Sequence, residues 1–133
     1  MPEPSRGVLD TSVVIDLDVI DPVRLPDESA ITTITLAELA AGPLATQDDA
    51  ERARRQHRLQ WAERTWEPLA FDTNAAQAYG LVFAAVKATG RTSRSRLADL
   101  LIAATAISNG LPLYTRNPDD FVGLEQLIET VPI

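Results

Sequence analysis

The chain predicts an α/β sandwich around a mainly parallel sheet. Short apolar or β-branched runs such as Gly7-Val8-Leu9 and Leu111–Tyr114 alternate with longer stretches of helical periodicity. The helical stretches open on hydroxyl or acidic capping residues and close on Gly42-Pro43, Thr89-Gly90 and Asn109-Gly110. The alternation runs through all 133 residues without repeats or low-complexity tracts. This is the pattern of one domain, residues 1–133, whose crossover helices cover a sheet.

Taken in order, Gly7-Val8-Leu9 reads as a buried strand ending at Asp10. Asp10-Thr11-Ser12 has capping chemistry, and Val13–Leu17 continues as a helical turn. Asp21 to Asp27 holds two prolines and reads as a loop. Ala30–Thr33 reads as the second strand. Thr35 caps the next helix with Glu38 at capping-box spacing, and Gly42-Pro43 ends it. Ala50–Trp66 is a long helix with Leu59, Ala62 and Trp66 on one side. Pro68–Phe71 reads as a third strand, and Asp72 or Thr73 caps a helix running to Ala88. Gly90–Ser95 is a basic loop and Arg96–Asn109 a strongly apolar helix. Leu111–Tyr114 is the fourth strand, Arg116–Asp120 a turn and Ile128–Val131 a last edge strand.

Composition excludes several chemistries. With no cysteine and a single histidine, His57, among arginines, thiolate sites, histidine-rich zinc sites and a Ser-His-Asp triad drop out. No apolar run reaches membrane-spanning length and MPEPSRGVLD lacks a signal-peptide pattern, so a cytoplasmic protein is expected. The net charge of −7 taken alone disfavours a phosphate-binding surface. Bound cations would offset part of it, and most of the eleven arginines group at Arg52–Arg58 and Arg91–Arg96, with Arg116 beyond. The first cluster reads as a solvated helix face; the second, close to Asp99, is a candidate for substrate or partner contact.

Three carboxylates stand alone in uncharged stretches. Asp10 is the only charged residue from Gly7 to Ile15, Glu38 from Ser29 to Gln47, and Asp99 from Leu97 to Thr115. An ionised carboxylate in core-like sequence is costly unless a cation or several donors compensate it. Each has a structural alternative: a helix N-cap for Asp10, a capping-box partner of Thr35 for Glu38, and for Asp99 a dipole-stabilised first-turn acid or an Arg96–Asp99 ion pair. The shared isolation, with Asp119 and Asp120 following another apolar run, favours a pocket holding Mg²⁺ or Mn²⁺ through hard oxygen ligands. Thr11, Ser12, Thr115 and Asn117 are candidates to hydrogen-bond the acids, or are simply caps and turn residues.

Leu9-Asp10-Thr11-Ser12, Thr35-x-x-Glu38-Leu39, Leu97-x-Asp99-x-Leu101-Ile102-Ala103-Ala104-Thr105-Ala106 and Thr115-Arg116-Asn117-x-x-Asp120-Phe121 follow in that order. Over nearly the whole chain they resemble the PIN-domain ribonucleases, in particular the VapC-type toxins of bacterial toxin–antitoxin pairs. The resemblance implies a PIN-like α/β/α sandwich, Mg²⁺ or Mn²⁺, cleavage of RNA, a homodimer and inhibition by a cognate antitoxin. By position, Asp10, Glu38 and Asp99 match the three core acids. Asp10 and Asp99 would hold the principal metal, and Glu38 would bind it through water or orient the attacking water. Asp119 or Asp120 would complete the pocket; Asn117 stands where many relatives carry aspartate. Arg94, Arg96 or Arg116 would meet RNA phosphates or antitoxin carboxylates. The dimer is expected through the helices around Ala50–Trp66 and Ala75–Ala88. Two rivals stand beside this expectation: a non-catalytic binding module, and a phosphatase or DNA nuclease using the same ions.

Overall fold

A computed structural model describes residues 2–91 and 96–133; Arg94 lies outside the described residues. The elements are β1 (Arg6–Leu9), α1 (Thr11–Ile15), β2 (Glu28–Ala30), α2 (Thr33–Ala41), α3 (Asp49–Thr65), α4 (Thr73–Ala88), α5 (Leu97–Ser108), β3 (Leu113–Thr115) and β4 (Thr130–Pro132). Short 3₁₀ turns lie between them, among them Gly42–Ala45 and Pro118–Phe121. The sheet is four-stranded in the order β2-β1-β3-β4, and every pairing is parallel.

Strand periodicity explains the layers. Successive side chains of β1 point to opposite faces. Val8 enters one core with Ala78, Val82 and Val86 of α4 and Leu100, Ile102 and Ala106 of α5. Leu9 enters the other with Val13 and Val14 of α1, Leu39 of α2 and Ala62 of α3. A sheet buried on both faces between helices is the expected α/β/α sandwich. Burying each large aliphatic side chain contributes about 1.5–3 kcal/mol. Helix α5 buries Leu100 and the whole run from Ile102 to Ala106, which explains why its sequence is apolar all round. Gly7 is required where β1 passes β3: a Cβ there would lie 2.3 Å from Tyr114 Cε1. Gly123 turns the chain after Phe121 with φ +101°, a backbone conformation that favours glycine.

Three expectations change. The strand expected at Pro68–Phe71 is a single parallel bridge, Thr32 to Leu69, made by Thr33 N–H to Leu69 O (2.9 Å) and Leu69 N–H to Ile31 O (2.9 Å). Pro68 has no N–H to extend the ladder. The second strand runs over Glu28–Ala30 rather than Ala30–Thr33, because Thr33 already begins α2. The cap of α2 is Thr32, whose Oγ1 accepts the Thr35 N–H at 3.2 Å, so Glu38 does not sit at capping-box spacing and Thr35 is free for another partner. The remaining boundaries shift by one or two residues at each end. Asp10 caps α1 and Asp72 caps α4, as expected.

Candidate active site

The parallel sheet brings the ends of β1 and β3 to one edge. Leu9 pairs with Tyr114, which places Asp10 beside Thr115. The Asp10 N–H donates to Tyr114 O at 3.0 Å and locks that register. In such sheets the carboxyl edge is where sites form.

Asp10 is 3% exposed, and its carboxylate is held on both oxygens. Oδ1 accepts the Ser12 hydroxyl and the Val13 N–H, the latter at 3.3 Å. Oδ2 accepts the Thr115 hydroxyl at 2.6 Å. Each hydroxyl is itself aimed by a backbone N–H: Arg116 N–H donates to Ser12 Oγ at 3.2 Å, and Asn117 N–H to Thr115 Oγ1 at 2.9 Å. A hydroxyl that accepts from a fixed amide has its proton free to point at the acid. The chain leaving β3 therefore orients Asp10 through two one-residue relays.

Glu38 lies on the exposed side of α2 rather than in a core. Its Oε1 accepts the Thr11 hydroxyl at 2.6 Å, and Thr11 Oγ1 is 3.0 Å from Thr35 Oγ1. Because the one Thr11 proton goes to Glu38, Thr35 is the donor in the second contact. Thr35 was read from sequence only as a cap; a buried hydroxyl three residues before a lone glutamate was the available sign of its second role.

Asp99 lies in the first turn of α5, half-buried. Burial raises its carboxyl from the usual 3.8 to about 6, helped by the charges of Asp120, Asp10 and Glu38 and opposed by Arg96. The four acids, drawn from β1, α2, α5 and the Pro118–Phe121 turn, thus share one electrostatic pocket. Among the described residues no three of them close into a finished ligand cluster.

The other expected residues divide. Asp120 acts on Asp99, whereas the neighbouring Asp119 is exposed and is not among the charges that raise it. Asn117 contributes its backbone to the Thr115 relay and makes no side-chain capping bond. Arg116 is occupied by Asp16, Nε to Oδ2 at 3.2 Å. Arg96 makes no ion pair with Asp99; its Nη1 donates to the backbone carbonyl of Asp120. In the Arg52–Arg58 cluster, Arg54 and Arg55 pair with Glu51, as expected for a solvated helix face.

Two adjoining hollows lie beside α1. A groove of about 750 Å³ runs between α1 and α3 past Ile15, Leu17, Arg54, His57 and Trp61. A second hollow of about 370 Å³ shares Ile15 and Arg58 with it and reaches Thr11 and Glu38. Of the four acids, Glu38 is the one that lines these hollows.

A family model described as "PIN domain" matches residues 7–125. The chain belongs to the PIN-domain family. Among curated members, this PIN domain is 39% identical over 125 residues to Ribonuclease VapC5 of Mycobacterium tuberculosis, covering 92% of this chain and 90% of that one. It is 33% identical to a plasmid stability protein, StbB, of Pseudomonas syringae, covering 90% and 80%. In structure it superimposes on a member of the VapBC toxin–antitoxin family, VapBC-5 of Mycobacterium tuberculosis, with TM-score 0.86 and 37% identity, covering 98% of this chain and all of that one. The fold seen here is that of the PIN domains in these complexes.

Proposed function

We propose that this PIN domain is a divalent-metal-dependent endoribonuclease that acts as a toxin and is held in check by a cognate antitoxin. One observation carries the proposal: Asp10, Glu38, Asp99 and Asp120 face one another at the carboxyl edge of the sheet, and Asp99 has no ion-pair partner among the described residues. Like charges gathered at the carboxyl edge of a parallel sheet are a destabilising arrangement that a divalent cation relieves. The donor set fits such an ion. All four groups are hard oxygen donors, and the Asp99 carboxylate makes no hydrogen bond among the described residues. Asp10 and Asp99 would hold Mg²⁺ or Mn²⁺, with Glu38 reaching it through water and Asp120 completing the pocket. A bound cation supplies charge to the scissile phosphate and acidifies water.

The chain's own residues do the rest. The Ser12 and Thr115 relays fix both Asp10 oxygens, and Oδ2, which accepts only the Thr115 hydroxyl, keeps a second lone pair pointing the same way in every molecule. Thr11 occupies Oε1 of Glu38 and leaves Oε2 to receive the proton of the attacking water. Attack on phosphorus would then break the bond to the leaving sugar oxygen, which takes its proton from solvent water. The names and titles of the relatives, ribonuclease and toxin–antitoxin complex, support RNA as substrate and an antitoxin as partner. The groove past Ile15 and Trp61 leads to Glu38 and offers that partner a path to the pocket. Leu81 and Phe83, 57% and 46% exposed on either side of the buried Val82 of α4, are exposed apolar residues on a helix expected at the homodimer interface. Among the described residues no helix is long and apolar enough to cross a membrane, which accords with action on cellular RNA.

Purified protein assayed on RNA, DNA and a phosphomonoester tests this. Cleavage of RNA alone, restored by Mn²⁺ or Mg²⁺ after EDTA, is the expected result. Undiminished RNA cleavage in chelator would refute the metal mechanism, and preference for either other substrate would refute the substrate class.

A further inference from the structure

The acidic turn Asp119–Asp120 is gripped by its backbone. Arg91 Nη1 donates to the carbonyl of Asp119 at 2.9 Å, and Arg96 Nη1 donates to the carbonyl of Asp120. Arginines beside aspartates ordinarily pair with the carboxylates, often bidentately. Here the neighbouring guanidinium groups are spent on consecutive main-chain oxygens, and the carboxylates of Asp99 and Asp120 remain without a cationic partner among the described residues. Arg96 also keeps a buried Nη2 with no hydrogen-bond partner among the described residues. Leaving such a buried donor unmade is costly, yet it is not turned onto Asp99 three residues away.

We infer that Arg96 is a positioning residue for the acidic pocket, with Arg91 as a weaker second arm. It ties the turn carrying Asp120 to the start of α5, which carries Asp99, and so sets the spacing of the two acids while leaving their oxygens open. Arg96 ends at N-cap position of α5 and Asp99 follows in the first turn, so one side chain spans the gap between the two elements. This assigns Arg96 to the protein's interior architecture and not to an RNA phosphate. The role rests on the metal reading above for its purpose, but the clamp itself is a property of the protein without metal.

The test therefore has two independent readouts on the full chain. Amide hydrogen exchange in metal-free protein reads the clamp: Arg96→Gln should speed exchange of the Asp120 and Val122 amides by about tenfold or more. Calorimetric titration with Mn²⁺ reads its purpose: affinity should fall by about 10–100-fold, the usual effect of removing a group that orients ligands. Cleavage lost in the variant should return at high Mn²⁺, with KM for RNA unchanged. Arg96→Lys, which keeps charge but not the planar fork, should fall between wild type and Arg96→Gln. If Arg96→Gln does not fold, Arg91→Gln, on the exposed arm, should shift the same exchange rates by about two- to threefold. Unchanged exchange around Asp120 would overturn the clamp. A raised KM for RNA with unchanged Mn²⁺ affinity would make Arg96 a substrate contact instead. Wild-type protein that binds no Mn²⁺ would sink the metal reading, while the exchange data would still decide the clamp.

Discussion

The two corners of the acidic pocket are built on opposite principles. At the Asp10 corner the carboxylate is 3% exposed and every oxygen is satisfied, by Ser12, Val13 and Thr115. At the Asp99 corner the carboxylate is half-buried, makes no hydrogen bond among the described residues and faces Asp120, Asp10 and Glu38. The first corner is part of the fold's stability. The second is a cost that the fold carries at rest and that a ligand cation would remove. A metal pocket gains from having both: a fixed acid that defines the position, and a frustrated acid whose relief adds to binding.

Substitutions should separate the corners by sign. Asp10→Ala removes a helix cap and strands two oriented hydroxyls at a buried edge, and should destabilise metal-free protein by roughly 3 kcal/mol in chemical denaturation. A loss under about 1 kcal/mol would mean that the corner is less integral than its hydrogen bonds imply. Thr115→Val keeps the volume but removes the donor to Oδ2 and the acceptor for the Asn117 amide. It should cost about 1.5 kcal/mol and lower cleavage by about 10–100-fold, with Thr115→Ser restoring most of both.

Asp99→Asn should give the smallest change and the opposite sign. In metal-free protein Asp99 titrates near 6 when folded against 3.8 when unfolded. The folded state therefore binds more protons across that interval, and stability falls as pH rises from about 4 to about 6. Asparagine removes that slope and should stabilise the protein above pH 6 by roughly 1 kcal/mol, after allowance for the partial solvent exposure of the group. Mn²⁺ should raise the melting temperature of wild type and not of this variant. Destabilisation by Asp99→Asn at pH 7 would erase the contrast between the corners.

Much of this was legible beforehand, and for identifiable reasons. Asp10, Glu38 and Asp99 stand out because charge in apolar sequence is rare without compensation. Helices α3, α4 and α5 are long enough for their periodicity and caps to place them within one or two residues. The short segments were harder. Thr32 and Thr35 are equally good caps by composition, and only the packing of Thr35 against Thr11 decided between them. Pro68–Phe71 has strand character, but how many ladder bonds it makes depends on a partner that sequence does not identify.

By itself the sequence determined the alternation of strands and helices, the two-faced burial of the sheet and the identity of the lone acids, since these follow from periodicity and from the cost of burying charge. Tertiary structure alone decided that Asp120 rather than Asp119 acts on Asp99, that Glu38 answers to Thr11, and that Arg96 grips a backbone carbonyl instead of a carboxylate. Those choices depend on distances between segments far apart in the chain, and such distances are set by the register of β1 against β3 and the packing of α5, not by any local pattern of residues.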